Sequence, residues 1–223
     1  MELAAETQII LDVDQIELEL RRHFDLSIRE LRDVAGGIYR GFVQVTALHP
    51  KGFNGTNGWA EGTRQLRAIL IPKGWRSDDP QGQPRVVSKD KKTSITVSSG
   101  NSDTGVPNRD PQTRNDKGGQ TASSVQFNAR QGVLFPLIAA RSGLVRALDS
   151  GREALWILLY FIDLDAGEMR VELSRPTAMS EADRINRWSP RLILPPISLT
   201  PIVEEFPHDE SPDIDFDVTL KDL

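Results

Sequence analysis

The chain has 223 residues, a formal net charge of −5 and 38% hydrophobic residues, which is enough for one large domain with a core. It contains no cysteine, so a disulfide framework, a thiolate metal site and a cysteine nucleophile are excluded. The first residues lack the pattern of a signal peptide, and the longest apolar run is too short to span a bilayer. We therefore expect a soluble, cytoplasmic protein with no membrane association.

The first part of the chain predicts helices followed by a strand. Residues 15–24 place apolar side chains at helical spacing, and a second helix is predicted at residues 26–34. Ser27 and Glu30 have the spacing of a capping box for this second helix. The glycine pair that follows ends it, and the aromatic and β-branched residues of 38–48 predict a strand.

The next part predicts a loop, a helix and a hairpin. Residues 49–58 are rich in glycine and asparagine and predict a loop, and residues 59–70 predict a helix that ends near a proline. Residues 85–88 and 93–99 are short strand candidates joined by the charged residues 89–92. They predict a hairpin with a charged tip.

A long polar segment occupies the middle of the sequence. Residues 100–121 contain almost no apolar side chain, and unstructured loops of this length are usually functional or disordered. A helix is predicted at residues 122–131, opening from the Lys-Gly-Gly turn at 117–119. A further short helix is predicted at residues 142–148.

A hairpin at residues 154–174 is the expected centre of the sheet. Residues 154–162 form the longest apolar run, and their aromatic and β-branched composition predicts a strand buried on both faces. Residues 168–174 alternate apolar and polar side chains after a glycine-containing turn, which indicates the second strand. The predicted fold class is α+β, a mixed, mainly antiparallel sheet centred on this hairpin, with flanking helices and long loops.

The last part of the chain combines a short helix, prolines and an acidic end. Residues 180–188 predict a short helix that begins at a serine cap. We expect residues 1–203 to form a single globular domain and residues 204–223 to form an acidic C-terminal tail. The final alternating segment, residues 214–220, could dock as an edge strand.

Charge is distributed unevenly along the sequence. Residues 61–131 carry 12 Lys/Arg against 7 Asp/Glu, whereas residues 204–223 carry eight carboxylates and one lysine. The basic middle could meet an anionic partner, and the acidic end a basic one. Mixed charge also occurs on surfaces that bind no partner, and this alternative stays open.

The polar segment contains a candidate anion-binding site. A glycine-rich turn that leads into a helix presents free backbone N–H groups, which attract anions together with nearby cationic side chains. The Gly-Lys-Ser/Thr sequence of nucleotide-hydrolysing phosphate loops is absent from the chain. The candidate anion-binding residues are Arg109, Arg114, Lys117, Gly118 and Gly119.

Four carboxylates on the central hairpin are candidate catalytic residues. Carboxylates that project from adjacent strands can hold Mg²⁺ for phosphodiester cleavage. The alternative is a surface ladder of ion pairs around Arg170, which lies between two of them on one strand face. The four candidates are Asp163, Asp165, Glu168 and Glu172.

A set of tryptophans and arginines offers candidate nucleic-acid contacts. Aromatic rings interleaved with basic residues can stack on bases and contact phosphates, although tryptophans at helix ends also anchor helices to a core. The set consists of Trp59, Arg64, Arg67, Trp75 and Arg76. The three histidines do not cluster in the sequence, so no metal site is predicted.

Two functions from different classes follow. The first is a binding or assembly subunit of an intracellular, bacterial complex, with a protein partner expected, nucleic acid as a further candidate, and no cofactor. Its basic loop would contact an anionic partner. The alternative is a Mg²⁺-dependent phosphodiesterase or nuclease-like enzyme that uses the 100–121 loop and the hairpin carboxylates. The discriminating feature is spatial, because the enzyme requires the loop and the carboxylates to face one cleft.

Overall fold

The computed structural model describes residues 7–130 and 153–199 of the chain. Within these ranges the helices are α1 (Val13–Phe24), α2 (Ile28–Val43), α3 (Phe53–Leu70) and α4 (Gly119–Arg130). The strands are β1 (Ile9–Ile10), β2 (Arg76–Asp78), β3 (Arg85–Val87), β4 (Thr93–Ser99), β5 (Ala154–Asp163), β6 (Glu168–Met179), β7 (Ile185–Ile193) and β8 (Ile197–Ser198). Together they form the α+β fold that the sequence predicts, with helices flanking a mixed sheet.

The sheet is built around β5 and β6. The strand order is β1-β7-β6-β5-β4-β3-β2, and the short β8 also pairs with β6. Most neighbouring strands are antiparallel, whereas β4 runs parallel to β5 and β1 runs parallel to β7. The two predicted hairpins are confirmed, one as β3 and β4 and the other as β5 and β6.

Strand β5 is buried on both faces, as its apolar run predicts. Alternate side chains enter two separate cores, of which the larger includes residues of α1, α2 and α3 and the smaller includes residues of α4 and β7. The side chains that β5 contributes are Trp156, Leu158 and Tyr160 to the larger core and Leu155, Ile157 and Leu159 to the smaller. Helices on both faces thus explain why this strand lacks polar alternation.

The strand predicted at residues 38–48 is wrong, because α2 covers the first half of this segment. The predicted capping box is present, with Ser27 Oγ accepting a hydrogen bond from the Glu30 N–H at 3.2 Å. The helix continues through its glycines, of which Gly37 and Gly41 lie against α3. A Cβ atom added at Gly41 would lie 2.9 Å from the carbonyl oxygen of Asn57. These glycines therefore allow close packing of two helices and do not terminate the first one.

Replacing Gly41 with alanine is expected to lower the free energy of unfolding by about 1–3 kcal/mol, because the new methyl group would press on the backbone of α3. Gly55, in the first turn of α3, is the matched control because a Cβ there meets nothing within 4 Å. Gly55→Ala is expected to leave stability unchanged or raise it by up to about 1 kcal/mol. Urea unfolding of both variants measures the difference, and equal stabilities would contradict the close helix contact.

Two further elements differ from the prediction. Helix α3 begins within the predicted loop at residues 49–58, after the turn at Gly52. The helix predicted at residues 180–188 is wrong, since a turn leads there directly into β7. Ile185 and Trp188 of this strand are fully buried in the smaller core, and pairing with β6 supplies backbone hydrogen bonds. This tertiary packing overrides the local helical signal.

Some predictions fall on parts of the chain that are not described. The helix predicted at residues 142–148, the acidic tail at 204–223 and its edge strand at 214–220 lie outside the described residues. Of the helices in the two described ranges, none has both the length and the apolar character needed to cross a membrane.

Candidate anion-binding site

A cleft of about 880 Å³ opens at the carboxyl ends of the parallel strands β4 and β5. It is lined by the last residues of both strands, the first turns of α3 and α4, and the loop that precedes α4. The two helices pack on opposite faces of the sheet. Crevices of this kind, at the carboxyl ends of parallel strands, are where open α/β sheets bind their ligands.

Both helices direct their N-terminal ends at the cleft. Gly55 and Thr56 of α3 line it, as do Gly118 and Gly119, where the predicted turn opens α4. In the described part of the chain, Gly52 at the N-cap of α3 offers no capping side chain, although the Gly55 N–H donates to Asn54 Oδ1 at 2.9 Å. Neither first turn contains an acidic residue. Free N–H groups and the positive end of a helix dipole attract anions, so two such ends favour a negatively charged ligand.

Lys117 brings a largely desolvated positive charge to this cleft. Its Nζ donates a hydrogen bond to Ser98 Oγ at 2.9 Å, and its backbone N–H donates to the carbonyl of Asp183 at 2.8 Å. Burial lowers the pKa of Lys117, and the charge of Asp116 only partly opposes this shift. Within residues 7–130 and 153–199, its ammonium group forms no ion pair with a carboxylate. An anion in the cleft would supply the missing counter-charge.

Tyr160 and Arg114 add a second donor and a second cation. Burial raises the pKa of Tyr160 to about 12, although Arg114 and a hydrogen bond with Ser99 both favour the ionised form. The phenol therefore remains protonated at neutral pH and can donate a hydrogen bond. Arg114 is exposed and its backbone N–H donates to the carbonyl of Ser99 at 2.9 Å, which places it beside the end of β4.

The polar segment that precedes α4 is held against the sheet by specific hydrogen bonds. Trp188 Nε1 donates to the carbonyl of Pro111 at 2.7 Å, and the Thr113 N–H donates to the carbonyl of Ile185 at 3.0 Å. Arg191 Nη1 donates to the carbonyl of Arg109 at 2.7 Å. The lack of apolar residues in this segment therefore reflects a loop fixed by polar contacts to β7.

The structure divides the predicted anion-binding residues between two places. Arg114, Lys117, Gly118 and Gly119 all line the cleft. Arg109 does not line it, and its guanidinium instead lies 3.1 Å from the carboxylate of Asp103. Four of the five predicted residues therefore surround one cavity, and Arg109 serves as a natural comparison outside it.

None of the four predicted hairpin carboxylates lines the cleft, and three of them pair with arginines. Asp163 and Glu168 both pair with Arg170, at 3.1 Å and 3.3 Å. Asp165 is exposed in the turn between β5 and β6. Among the described residues, no group of three or more histidine, cysteine, aspartate or glutamate side chains is arranged to hold a metal ion.

Glu172 does not belong to a surface ladder, because both it and its partner Arg191 are fully buried. Glu172 Oε2 accepts hydrogen bonds from Arg191 Nη2 at 2.7 Å and Nε at 3.0 Å. Burial raises the pKa of Glu172 to about 7, while Arg191 acts in the opposite direction. Arg191 also donates to the polar loop, so this buried pair joins the loop to the sheet.

The predicted nucleic-acid contacts are scattered. Trp59 lines the cleft, and its Nε1 donates to a carbonyl of β4 at 3.1 Å. Trp75 is only 4% exposed and packs in the larger core, so its ring offers no face to a base. Arg64 and Arg67 pair with acidic residues at 2.8 Å and 2.5 Å, and Arg76 is exposed on β2. These residues do not form one surface comparable to the cleft.

Several cleft residues are missed by the sequence analysis. Ser98, Ser99 and Tyr160 reach the site because β4 and β5 pair in parallel, with Ser99 opposite Tyr160. No local sequence pattern predicts that β4 pairs with β5, because the two strands are far apart in the sequence. The glycine-rich start of α3 could have been noticed for the same reason as the start of α4.

Compared with known proteins, the chain matches no protein-family model, no curated protein and no solved structure.

Proposed function

We propose that this protein is a binding subunit that holds a phosphate-bearing ligand in the cleft at the ends of β4 and β5. The observation that carries the proposal is the partly buried ammonium of Lys117, which donates to Ser98 Oγ beside the start of α4 and forms no ion pair with a carboxylate among the described residues. A phosphate at this point would accept charge-assisted hydrogen bonds from Lys117 and from the N–H groups of Gly118 and Gly119.

The local charge supports the same ligand. Among the described residues, the charged ones that line the cleft are Arg114, Asp116 and Lys117, so this part of the cavity wall is positive in a chain whose net charge is −5. Low dielectric surroundings strengthen the attraction between a buried cation and an incoming anion. The wider role as a subunit of a complex rests on the uneven distribution of charge along the sequence. We propose that an anionic group of the partner binds in this cleft.

Binding is favoured over phosphodiester cleavage because the four hairpin carboxylates do not line the cleft. Asp163 and Glu168 pair with Arg170, and Glu172 pairs with Arg191. These carboxylates are thus held by arginines outside the cleft lining, whereas a Mg²⁺-dependent mechanism requires carboxylates that face the phosphate. We therefore propose binding, and not phosphodiester cleavage, as the function.

Titration with inorganic phosphate, followed by the amide NMR shifts of Gly118 and Gly119, tests the proposal. Lys117→Ala and Arg114→Ala are each expected to weaken phosphate binding by roughly one to two orders of magnitude, because the loss of a charge-assisted hydrogen bond costs roughly 1.5–3 kcal/mol. Arg109→Ala is the matched control because Arg109 belongs to the same loop but lies outside the cleft. No shift at the two glycines, or an equal effect of all three variants, would overturn the proposal.

The affinity for phosphate is expected to fall at alkaline pH, and to do so at a lower pH than an exposed lysine would cause. Because burial lowers the pKa of Lys117 below 10.5, its ammonium loses the proton earlier than an exposed lysine does, and the attraction for the anion is lost with it. Lys117→Arg should remove this decline, since a guanidinium stays protonated throughout the range. Parallel declines in the native protein and the arginine variant would show that Lys117 does not hold the anion.

A further inference from the structure

The cleft combines its positive charge with aromatic rings. Phe42 at the end of α2, Trp59 on α3 and Phe161 on β5 all line it, and all three are partly exposed. A phosphate ion alone would make no use of these rings. Aromatic side chains beside a phosphate site instead suit a ligand that carries a planar group, because stacking on an aromatic face is favourable for every nucleobase.

Phe161 is held in place by the charged residues behind it. The guanidinium carbon of Arg170 lies 5.1 Å from the centroid of the Phe161 ring. Arg170 is itself fixed by Asp163 and Glu168 and by a hydrogen bond of 3.0 Å to the carbonyl of Ser102. The ring is therefore ordered before any ligand arrives, which reduces the entropy lost when a planar group stacks on it.

Amide side chains supply hydrogen-bonding groups for the edge of such a planar ligand. Gln81, Asn115 and Gln120 line the cleft, and within the described residues their side-chain amides form no hydrogen bond. Each amide carries both donors and an acceptor, which matches the mixed donor and acceptor edge of a nucleobase. An acyl chain has no polar edge, so these three groups favour a base over a lipid tail.

We propose that the phosphate-bearing ligand of the cleft is a nucleotide, whose phosphate lies at Lys117 and the start of α4 and whose base stacks on Phe161. This inference rests on the proposed phosphate binding and specifies the ligand that carries the phosphate. The volume of about 880 Å³ lies within the range of roughly 300–1,000 Å³ that is typical of small-molecule and cofactor sites. The nucleotide is either free or the 5′-phosphorylated end of a strand, since both present the same chemistry.

Calorimetric titration of the full chain with a ligand series tests this inference. The series consists of inorganic phosphate, ribose 5-phosphate, AMP, GMP, CMP, UMP and a 5′-phosphorylated tetranucleotide. At least one nucleotide is expected to bind at least tenfold more tightly than ribose 5-phosphate, because base stacking adds to phosphate binding. Tighter binding of the tetranucleotide than of any mononucleotide would identify the end of a strand as the source.

Variants at aromatic positions locate the base. Phe161→Leu is expected to weaken nucleotide binding roughly tenfold and to leave inorganic phosphate binding unchanged, because it removes the aromatic face and keeps an apolar side chain. Phe53→Leu is the matched control, since Phe53 lies at the start of α3 outside the cleft lining and is 37% exposed. This control should bind nucleotides as the native protein does.

The outcomes separate the two proposals. If inorganic phosphate shifts Gly118 and Gly119 but no nucleotide binds more tightly than ribose 5-phosphate, the nucleotide inference is overturned and the phosphate site remains. If neither phosphate nor any nucleotide binds, the proposed function itself fails. If nucleotides bind tightly but Phe161→Leu and Phe53→Leu are equal, the base does not stack on Phe161 and that part of the inference is wrong.

Discussion

Replacing Glu172 with alanine is expected to lower the free energy of unfolding by about 3–5 kcal/mol. The substitution leaves the guanidinium of Arg191 in a fully buried position without the carboxylate that accepts two of its hydrogen bonds. An unpaired buried charge is among the most destabilising changes that a single substitution can cause. Since a domain of ordinary stability unfolds with about 5–15 kcal/mol, this loss is a large fraction of the total.

Denaturant unfolding monitored by tryptophan fluorescence measures the effect of Glu172→Ala. Glu168→Ala is the matched control, because Glu168 lies on the same face of β6 and pairs with Arg170 at 3.3 Å but is 33% exposed. A partly exposed pair of this kind contributes about 0–1 kcal/mol. Similar losses for the two variants would show that Arg191 does not depend on Glu172 for its charge balance.

The Glu172 substitution is also expected to release the polar loop. Arg191 donates to the carbonyls of Val106 and Arg109, at 3.3 Å and 2.7 Å, so a displaced guanidinium would no longer hold this segment. Hydrogen exchange of the amides in residues 104–113 should therefore become faster in Glu172→Ala than in Glu168→Ala. Glu172→Gln should show a smaller increase, since its amide oxygen can still accept a hydrogen bond from Arg191.

Replacing Trp188 with alanine is expected to cost about 3–5 kcal/mol of stability. The side chain is fully buried in the smaller core, and its removal creates a cavity between β7 and α4. The substitution also removes the hydrogen bond of 2.7 Å from Nε1 to the carbonyl of Pro111, which leaves that carbonyl without this partner. Both effects act on the smaller core and on the loop that leads to the cleft.

A second substitution at the same position separates the two contributions. Trp188→Phe keeps most of the buried apolar volume but cannot donate to Pro111, so it is expected to cost about 1–3 kcal/mol. Thermal or urea unfolding of both variants gives the comparison. If phenylalanine and alanine are equally destabilising, the hydrogen bond dominates. An alanine variant that is as stable as the native protein would contradict the full burial of the Trp188 side chain.

The sequence by itself determines the features that depend on neighbouring residues. The long apolar run predicts β5, because a strand that is covered on both faces has apolar side chains at consecutive positions. The capping box at Ser27 and the Lys-Gly-Gly turn before α4 are local hydrogen-bonding and conformational signals, and both helices begin close to where these signals place them. Three residues of the proposed anion site, Lys117, Gly118 and Gly119, belong to this turn.

Only the tertiary structure decides the features that depend on distant residues. Gly41 looks like a strand residue until α3 is packed against it, and Trp188 looks helical until β6 pairs with its segment. The exposed ladder expected at Glu172 becomes a buried ion pair because the polar loop covers that face of the sheet. The cleft itself exists because β4 pairs in parallel with β5, and such pairing leaves no local trace because its partners are far apart in the chain.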